Sequence, residues 1–161
     1  MKVQVAIDEI KKLQNVISQN SPSLEFNIDE IVIRDEFKGW YKDHVPNKEA
    51  SQKSGIYLFS DSSSEILYIG KAGADNLSAE IWGKFSVPQL NEKTKQPEFI
   101  KSRMAQYAPG DDLKEKLIKG DVCISVAVIS PKELVSLIEV YLQTLCFREE
   151  GELPRLNNRI G

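Results

Sequence analysis

Two short apolar runs on either side of a polar turn constrain the fold of this chain most strongly. Residues 55–60 read GIYLFS and residues 66–70 read ILYIG, and the polar segment Asp61–Ser64 lies between them. Short runs that are rich in β-branched and aromatic residues and are separated by turn-forming residues predict a β-hairpin. We therefore expect two antiparallel strands here, with one tyrosine on each.

The alternation of side chains along a strand assigns each apolar residue of this hairpin to a face. In the first strand, Ile56 and Leu58 are expected on one face and Tyr57 and Phe59 on the other. In the second strand, the same alternation pairs Leu67 with Ile69 and Ile66 with Tyr68.

Helices and one further strand are predicted around this hairpin. Apolar residues at helical spacing predict a helix over residues 4–18, and the run Ile31–Ile33 is typical of a strand. After the hairpin we expect helices over 76–85, 98–107 and 111–119, with a polar loop over 88–97. Residues 121–129 are apolar on both alternating faces, which predicts an internal strand. Ser130 followed by Pro131 is typical of a helix start, and that helix is expected to run to about Phe147.

This order of elements predicts an α+β fold with a small, mostly antiparallel sheet of three central strands flanked by helices. We expect residues 1–50 to form an N-terminal helical extension and residues 51–161 to form the main domain. No apolar run approaches the roughly 20 residues of a membrane-spanning helix. The N-terminus also lacks the apolar segment of a signal peptide. The two cysteines, Cys123 and Cys146, lie in apolar surroundings, which indicates free thiols in a reducing compartment, hence the cytoplasm.

The hairpin and the residues after it resemble the GIY-YIG nuclease family. Gly55–Tyr57 and Tyr68–Gly70 match the two tripeptides that name the family, and the resemblance extends over roughly residues 54–158. Lys71 follows at a position that is often basic in the family. Glu139 lies in a late helix, where the family has its metal-binding glutamate, and Asn157 ends a segment like the family's closing Pro-x-x-Asn.

The resemblance implies a metal-dependent endonuclease that hydrolyses phosphodiester bonds in double-stranded DNA with one Mg²⁺ or Mn²⁺ ion. It implies that Tyr57 is the general base and that Tyr68 positions the water or the phosphate. It implies that Glu139 binds the metal and that Asn157 steadies the site by hydrogen bonding. A free tyrosine has a pKa of about 10, so basic neighbours such as Lys71 must favour its phenolate.

One position departs from the family pattern. The family usually carries an arginine in the helix after the second tripeptide, and its place falls on or beside Glu80, with Lys84 one turn later. A carboxylate at this position repels the phosphate that an arginine grips. Three explanations stay open: a degenerate family member, an engineered inactive variant, or replacement of the arginine by Arg103 from a later helix.

Structural alternatives also stay open for these residues. The two tyrosines are ordinary strand residues in many sheets. Glu139 lies on a polar stripe at helical spacing that is equally typical of a solvated surface, and Asn158 competes with Asn157 for the role of the closing asparagine. Four basic residues are candidate DNA contacts or members of a solvated face, namely Lys71, Lys84, Lys101 and Arg103.

Two functions from different classes follow. The first is a metal-dependent DNA endonuclease. The second is a catalytically inactive module that keeps the GIY-YIG fold and binds DNA or another protein. The net charge of −3 favours neither strongly, because an enzyme needs only a local basic cleft. The sequence also leaves open whether two copies form a homodimer to cut both strands, and which DNA site is recognised.

Overall fold

A computed structural model describes residues 1–36, 46–84, 88–90, 93, 97–99 and 121–161 of the 161-residue chain. Helix α1 spans Val3–Asn20 and strand β1 spans Asn27–Glu36, with a short 3₁₀ turn at Pro22–Leu24 between them. Strands β2 and β3 span Gly55–Ser60 and Ile66–Ala72, and helix α2 spans Leu77–Lys84. Strands β4 and β5 are short, at Pro88–Leu90 and Pro97–Phe99. Strand β6 spans Cys123–Ser130, and after a 3₁₀ turn at Lys132–Leu134 helix α3 spans Val135–Glu150.

Four strands form one antiparallel sheet in the order β1-β6-β2-β3, which confirms the predicted α+β class. Strand β6 is internal, as its apolar faces predict, and lies between β1 and β2. Strand β1 comes from the segment that we expect to precede the main domain, and it adds a fourth strand to the three predicted ones. Strand β3 lies at the sheet edge, so one side of its backbone is not paired with another strand of this sheet.

Each face of the sheet carries a hydrophobic core, which follows from the alternation along the strands. On one face, Ile56 and Leu58 pack with the apolar sides of α1 and α3. On the other face, Tyr57 and Phe59 pack with α2 and with β6. Tyr57 thus lies on the face of the sheet opposite to Ile56 and Leu58, as predicted. No helix in the described ranges is long and apolar enough to cross a membrane.

The face assignment of the second hairpin strand is wrong at its start. Phe59 pairs with Tyr68, but Ser60 pairs with Ile66, so Leu67 is the extra residue of a β-bulge. The bulge shifts the alternation by one position. Ile66 therefore packs in the core with Ile69, whereas Leu67 packs beside Tyr68 on the opposite face.

Two other predictions differ from the structure. The predicted loop 88–97 contains β4 and the first residue of β5, which pair as a separate two-stranded ribbon, so the predicted helix does not begin at residue 98. The remainder of that helix and the helix over 111–119 lie outside the described residues. Ser130 is not a helix cap, because its hydroxyl donates a hydrogen bond to Asp29 on β1 at 3.1 Å and α3 begins only after the 3₁₀ turn.

Candidate functional site

A cleft of about 280 Å³ opens where the edge strand β3 meets α2, α3 and the C-terminal segment. Most of the residues that the sequence singles out line this cleft, namely Tyr57, Tyr68, Lys71, Glu80, Lys84, Glu139 and Asn157. They come from distant parts of the chain, so the fold is what brings them together. Arg103 and Lys101 lie outside the described residues.

The two tyrosines form the inner wall of the cleft. Tyr57 is 1% exposed and its ring centroid lies 6.0 Å from that of Tyr68. Phe59 stands beside both rings, at 5.5 Å from Tyr57 and stacked at 5.6 Å on Tyr68. The rings are therefore held by aromatic packing on one side and by the backbone of the hairpin below them.

Both glycines of the tripeptides let neighbouring groups lie where a side chain would otherwise stand. A Cβ atom on Gly70 would lie 2.5 Å from Cζ of Tyr57 and 2.6 Å from Cε1 of Tyr68, so the two rings lie directly over this residue. A Cβ on Gly55 would lie 2.3 Å from the backbone oxygen of Ala127 on β6. The glycines thus have a steric reason that belongs to the site and to the sheet, independent of any family resemblance.

Burial raises the pKa of Tyr57 well above its ordinary value of 10.0. A hydrogen bond with Tyr68 and the negative charges of Glu80 and Glu139 raise the pKa further. All of these causes favour the protonated phenol. Tyr57 is therefore a hydroxyl at neutral pH in the resting cleft, and it becomes a base only if cations gather beside it.

Glu139 meets Lys71 at the open edge of the sheet. The Glu139 side chain is 8% exposed, and its Oε2 lies 2.7 Å from Nζ of Lys71. This contact is an ion pair, and Oε2 has no hydrogen-bond partner within the described part of the chain. The ion pair offsets the charge of the carboxylate, and the buried oxygen keeps a lone pair for a further ligand.

A buried carboxylate oxygen of this kind fits a divalent cation. Mg²⁺ prefers oxygen ligands and is usually bound by one or two carboxylates together with water and substrate phosphate. Among the residues that the structure describes, no three His, Cys, Asp or Glu side chains converge. Glu139 would therefore be the main protein ligand, with water and phosphate completing the shell.

Asn157 caps the backbone of the edge strand. Its Oδ1 accepts a hydrogen bond from the Ile69 amide at 2.8 Å, and its Nδ2 donates one to the Ile69 carbonyl at 2.9 Å. Asn158 is exposed and makes no such pair within the described ranges. The structure thus distinguishes the two candidates, and it gives Asn157 a positioning role in the β3 wall of the cleft.

Glu80, on or beside which the resemblance predicts an arginine, lies on the α2 wall of the cleft. Its Oε1 accepts a hydrogen bond of 3.3 Å from Asn76, one helical turn earlier. Lys84 follows on the same helix, with its Nζ 5.7 Å from the centre of the Tyr68 ring. The α2 wall therefore presents one carboxylate and one ammonium group to the cleft.

Sequence reasoning missed Gln143 and Arg159. Gln143 is 1% exposed and donates a hydrogen bond of 3.2 Å to the Ile69 carbonyl, so it supports the same strand as Asn157. Gln143 continues the polar stripe of Glu139 one helical turn later, so that stripe is the signal that could have found it. Arg159 lines the cleft from the C-terminal segment, which carries no periodic pattern that could place it.

Comparisons with protein-family models, with curated proteins and with solved structures find no match to this chain. The resemblance of the hairpin, α3 and the C-terminal segment to the GIY-YIG family stays a prediction from the sequence.

Proposed function

We propose that this chain is a metal-dependent endonuclease that hydrolyses phosphodiester bonds in double-stranded DNA. The observation that carries the proposal is the meeting of Tyr57, Tyr68, Lys71, Glu139 and Asn157 in one cleft. These residue types supply a hydroxyl for proton transfer, a cation for phosphate and a carboxylate for metal. The free thiols of the two cysteines support a reducing, cytoplasmic location.

Glu139 would hold Mg²⁺ or Mn²⁺ through the buried oxygen that has no hydrogen-bond partner in the described part of the chain. Such an ion shields phosphate charge, polarises the reacting phosphoryl group and stabilises the leaving oxygen. Lys71 lies next to that carboxylate and can contact the same phosphate, because its side chain is 36% exposed and opens to the cleft. Asn157 and Gln143 fix the strand that carries Lys71.

Tyr57 would take a proton from the attacking water once cations have gathered in the cleft. Its pKa is raised by burial and by the charges of Glu80 and Glu139. A metal ion at Glu139 and other cations beside it would offset the negative charges of Glu80 and Glu139. They would thereby lower the pKa of Tyr57 and favour its phenolate. Tyr68, hydrogen-bonded to Tyr57, is placed to orient the water or the phosphate.

Plasmid nicking tests this proposal. Pure protein with Mg²⁺ or Mn²⁺ is expected to convert supercoiled DNA to open-circular and linear forms, and chelation by EDTA is expected to stop the reaction. Tyr57→Phe is expected to lower the rate by about 10²- to 10⁴-fold, the usual contribution of a general base. Glu139→Gln is expected to abolish metal-dependent cleavage.

Matched controls separate these effects from a general loss of structure. Tyr141→Phe changes a tyrosine of α3 that does not line the cleft, and Glu133→Gln changes an exposed glutamate of the preceding turn. Both controls are expected to cleave like the parent protein. Cleavage that survives Glu139→Gln and Tyr57→Phe would contradict the proposal.

A second candidate is a catalytically inactive module with the same fold that binds DNA or another protein. Glu80 on the cleft wall and the protonated state of Tyr57 favour the loss of catalysis, because the carboxylate repels the scissile phosphate and the protonated phenol is not a base. Glu80→Arg distinguishes the two. If the parent protein is inactive and Glu80→Arg cleaves DNA, the chain is an enzyme that Glu80 inactivates. If both proteins bind DNA without cutting it, the chain is a binding module.

A further inference from the structure

The C-terminal segment is fastened along the open edge of β3 at several points. The Leu156 amide donates a hydrogen bond of 2.9 Å to the Leu67 carbonyl. Asn157 pairs with both backbone groups of Ile69, and the Gly161 amide donates a hydrogen bond of 2.7 Å to Oε1 of Gln143. The residues between these anchors are thus held against the cleft from both sides.

Arg159 lies between the anchors and lines the cleft. Its side chain is exposed, and it forms no ion pair with any residue in the described ranges. A guanidinium presents five N–H donors in a planar fork that matches two phosphate oxygens at once. The two cations on the other walls each contact a cleft residue in this structure, Lys71 the carboxylate of α3 and Lys84 the Tyr68 ring.

We infer that Arg159 is the residue by which the cleft grips a nucleic-acid phosphate, in place of the arginine that Glu80 displaces from α2. The inference rests on the proposed function, since it takes a DNA phosphate as the ligand. The hydrogen bonds of the segment hold the backbone that carries Arg159 in place, so less conformational entropy is lost when the phosphate binds. Arg159 is thus a substrate-contacting residue supplied from the C-terminal wall.

Binding of a DNA duplex by the full chain tests this inference separately from cleavage. Fluorescence anisotropy with a labelled duplex, in Ca²⁺ to suppress cutting, gives the dissociation constant at several salt concentrations between about 50 and 200 mM. Arg159→Ala is compared with Arg155→Ala, because Arg155 is exposed on the same segment and does not line the cleft. The two variants change net charge equally, so the difference between them reports the local contact.

Arg159→Ala is expected to reduce the slope of log K against log salt by about 1 relative to Arg155→Ala, the value for one lost phosphate contact. Arg159→Lys is expected to restore the slope and only part of the affinity, since an ammonium lacks the fork. Thermal melting is expected to be unchanged in all three variants, because both arginines are exposed.

The outcomes separate this inference from the proposed function. Binding that is weakened only by Arg159→Ala supports the inference even if the parent never cuts DNA, in which case the nuclease proposal alone fails. Equal effects of Arg159→Ala and Arg155→Ala overturn it, as does a loss confined to Arg103→Ala. A parent that binds no duplex under any of these conditions overturns both.

Discussion

Replacement of Gly70 by alanine is expected to damage the hairpin and the cleft together. The new Cβ would lie 2.5 Å and 2.7 Å from two atoms of the Tyr57 ring and 2.6 Å from one atom of the Tyr68 ring. Carbon atoms in contact are normally about 3.5–4.0 Å apart, so each ring has to retreat by roughly 1 Å. Neither ring can do so alone, because Phe59 packs against both.

The size of this effect follows from the cost of overpacking a well-filled core, about 1–3 kcal/mol. Two rings are displaced at once, one of them fully buried, so we expect about 2–3 kcal/mol of lost unfolding free energy. For a chain of this length each kcal/mol lowers Tm by about 2–4 °C, so Tm is expected to fall by roughly 4–12 °C. Gly55→Ala is expected to cost more still, because its Cβ would meet the backbone of β6, which cannot rotate away.

Urea denaturation monitored by circular dichroism measures the loss, and near-UV circular dichroism reports the tyrosine environment. Gly73→Ala is the matched control, since a Cβ there has nothing within 4 Å. That control is expected to be neutral or about 0.4–1 kcal/mol more stable, because alanine restricts the unfolded chain. If Gly70→Ala is as stable as Gly73→Ala and keeps the same near-UV spectrum, the rings do not lie over Gly70 and the steric account of the tripeptide is wrong.

Two further predictions concern the β3 edge and alkaline pH. Asn157→Ala removes both hydrogen bonds to the β3 backbone and is expected to cost about 1–3 kcal/mol in urea denaturation, whereas Asn158→Ala is expected to be neutral; equal costs would contradict the role assigned to Asn157. Burial, then a nearby carboxylate, raises the pKa of Cys146 from 9.0 to about 11, and a hydrogen bond to a carboxylate of α1 raises that of Tyr141 from 10.0 to about 12. The folded state therefore holds both protons more tightly than the unfolded state, so this stabilisation is present below about pH 9 and is lost as pH rises through 11 to 12. Unfolding free energies measured between these pH values report the loss of stability. Tyr141→Phe is expected to make that loss smaller near pH 12. A stability that rises with pH over this range would refute the two raised pKa values.

The hairpin and its faces could be predicted because local patterns carry them. Residues 55–60 alternate between two apolar faces, and the structure places those faces in two separate cores. The bulge at Leu67 has no comparable signal, since an inserted residue is as apolar as its neighbours and only the pairing with β2 reveals it. The same holds for Ser130, whose hydroxyl binds a carboxylate of β1 instead of capping a helix.

The candidate site likewise contains residues that local patterns identify and residues that only the tertiary structure reveals. Tyr57, Tyr68 and Glu139 could be proposed from motifs, although the polar stripe of α3 made the glutamate ambiguous. The structure resolves its burial, because α3 packs beside the edge strand and turns Glu139 toward Lys71. The role proposed for Arg159 depends on hydrogen bonds from the C-terminal segment to β3 and to α3, and such long-range pairing leaves no trace in local spacing.

The charges of the described cleft indicate why its chemistry would depend on cations from outside α2. Two carboxylates, Glu80 and Glu139, act with burial to keep Tyr57 protonated, and Lys71 offsets only the second of them. An arginine on α2 would have lowered the pKa of Tyr57 from within the fold, whereas Glu80 raises it. Activation of this phenol in the proposed enzyme therefore falls to a divalent ion at Glu139 and to the phosphate-gripping Arg159, so catalysis and substrate binding would be coupled through the same electrostatic change.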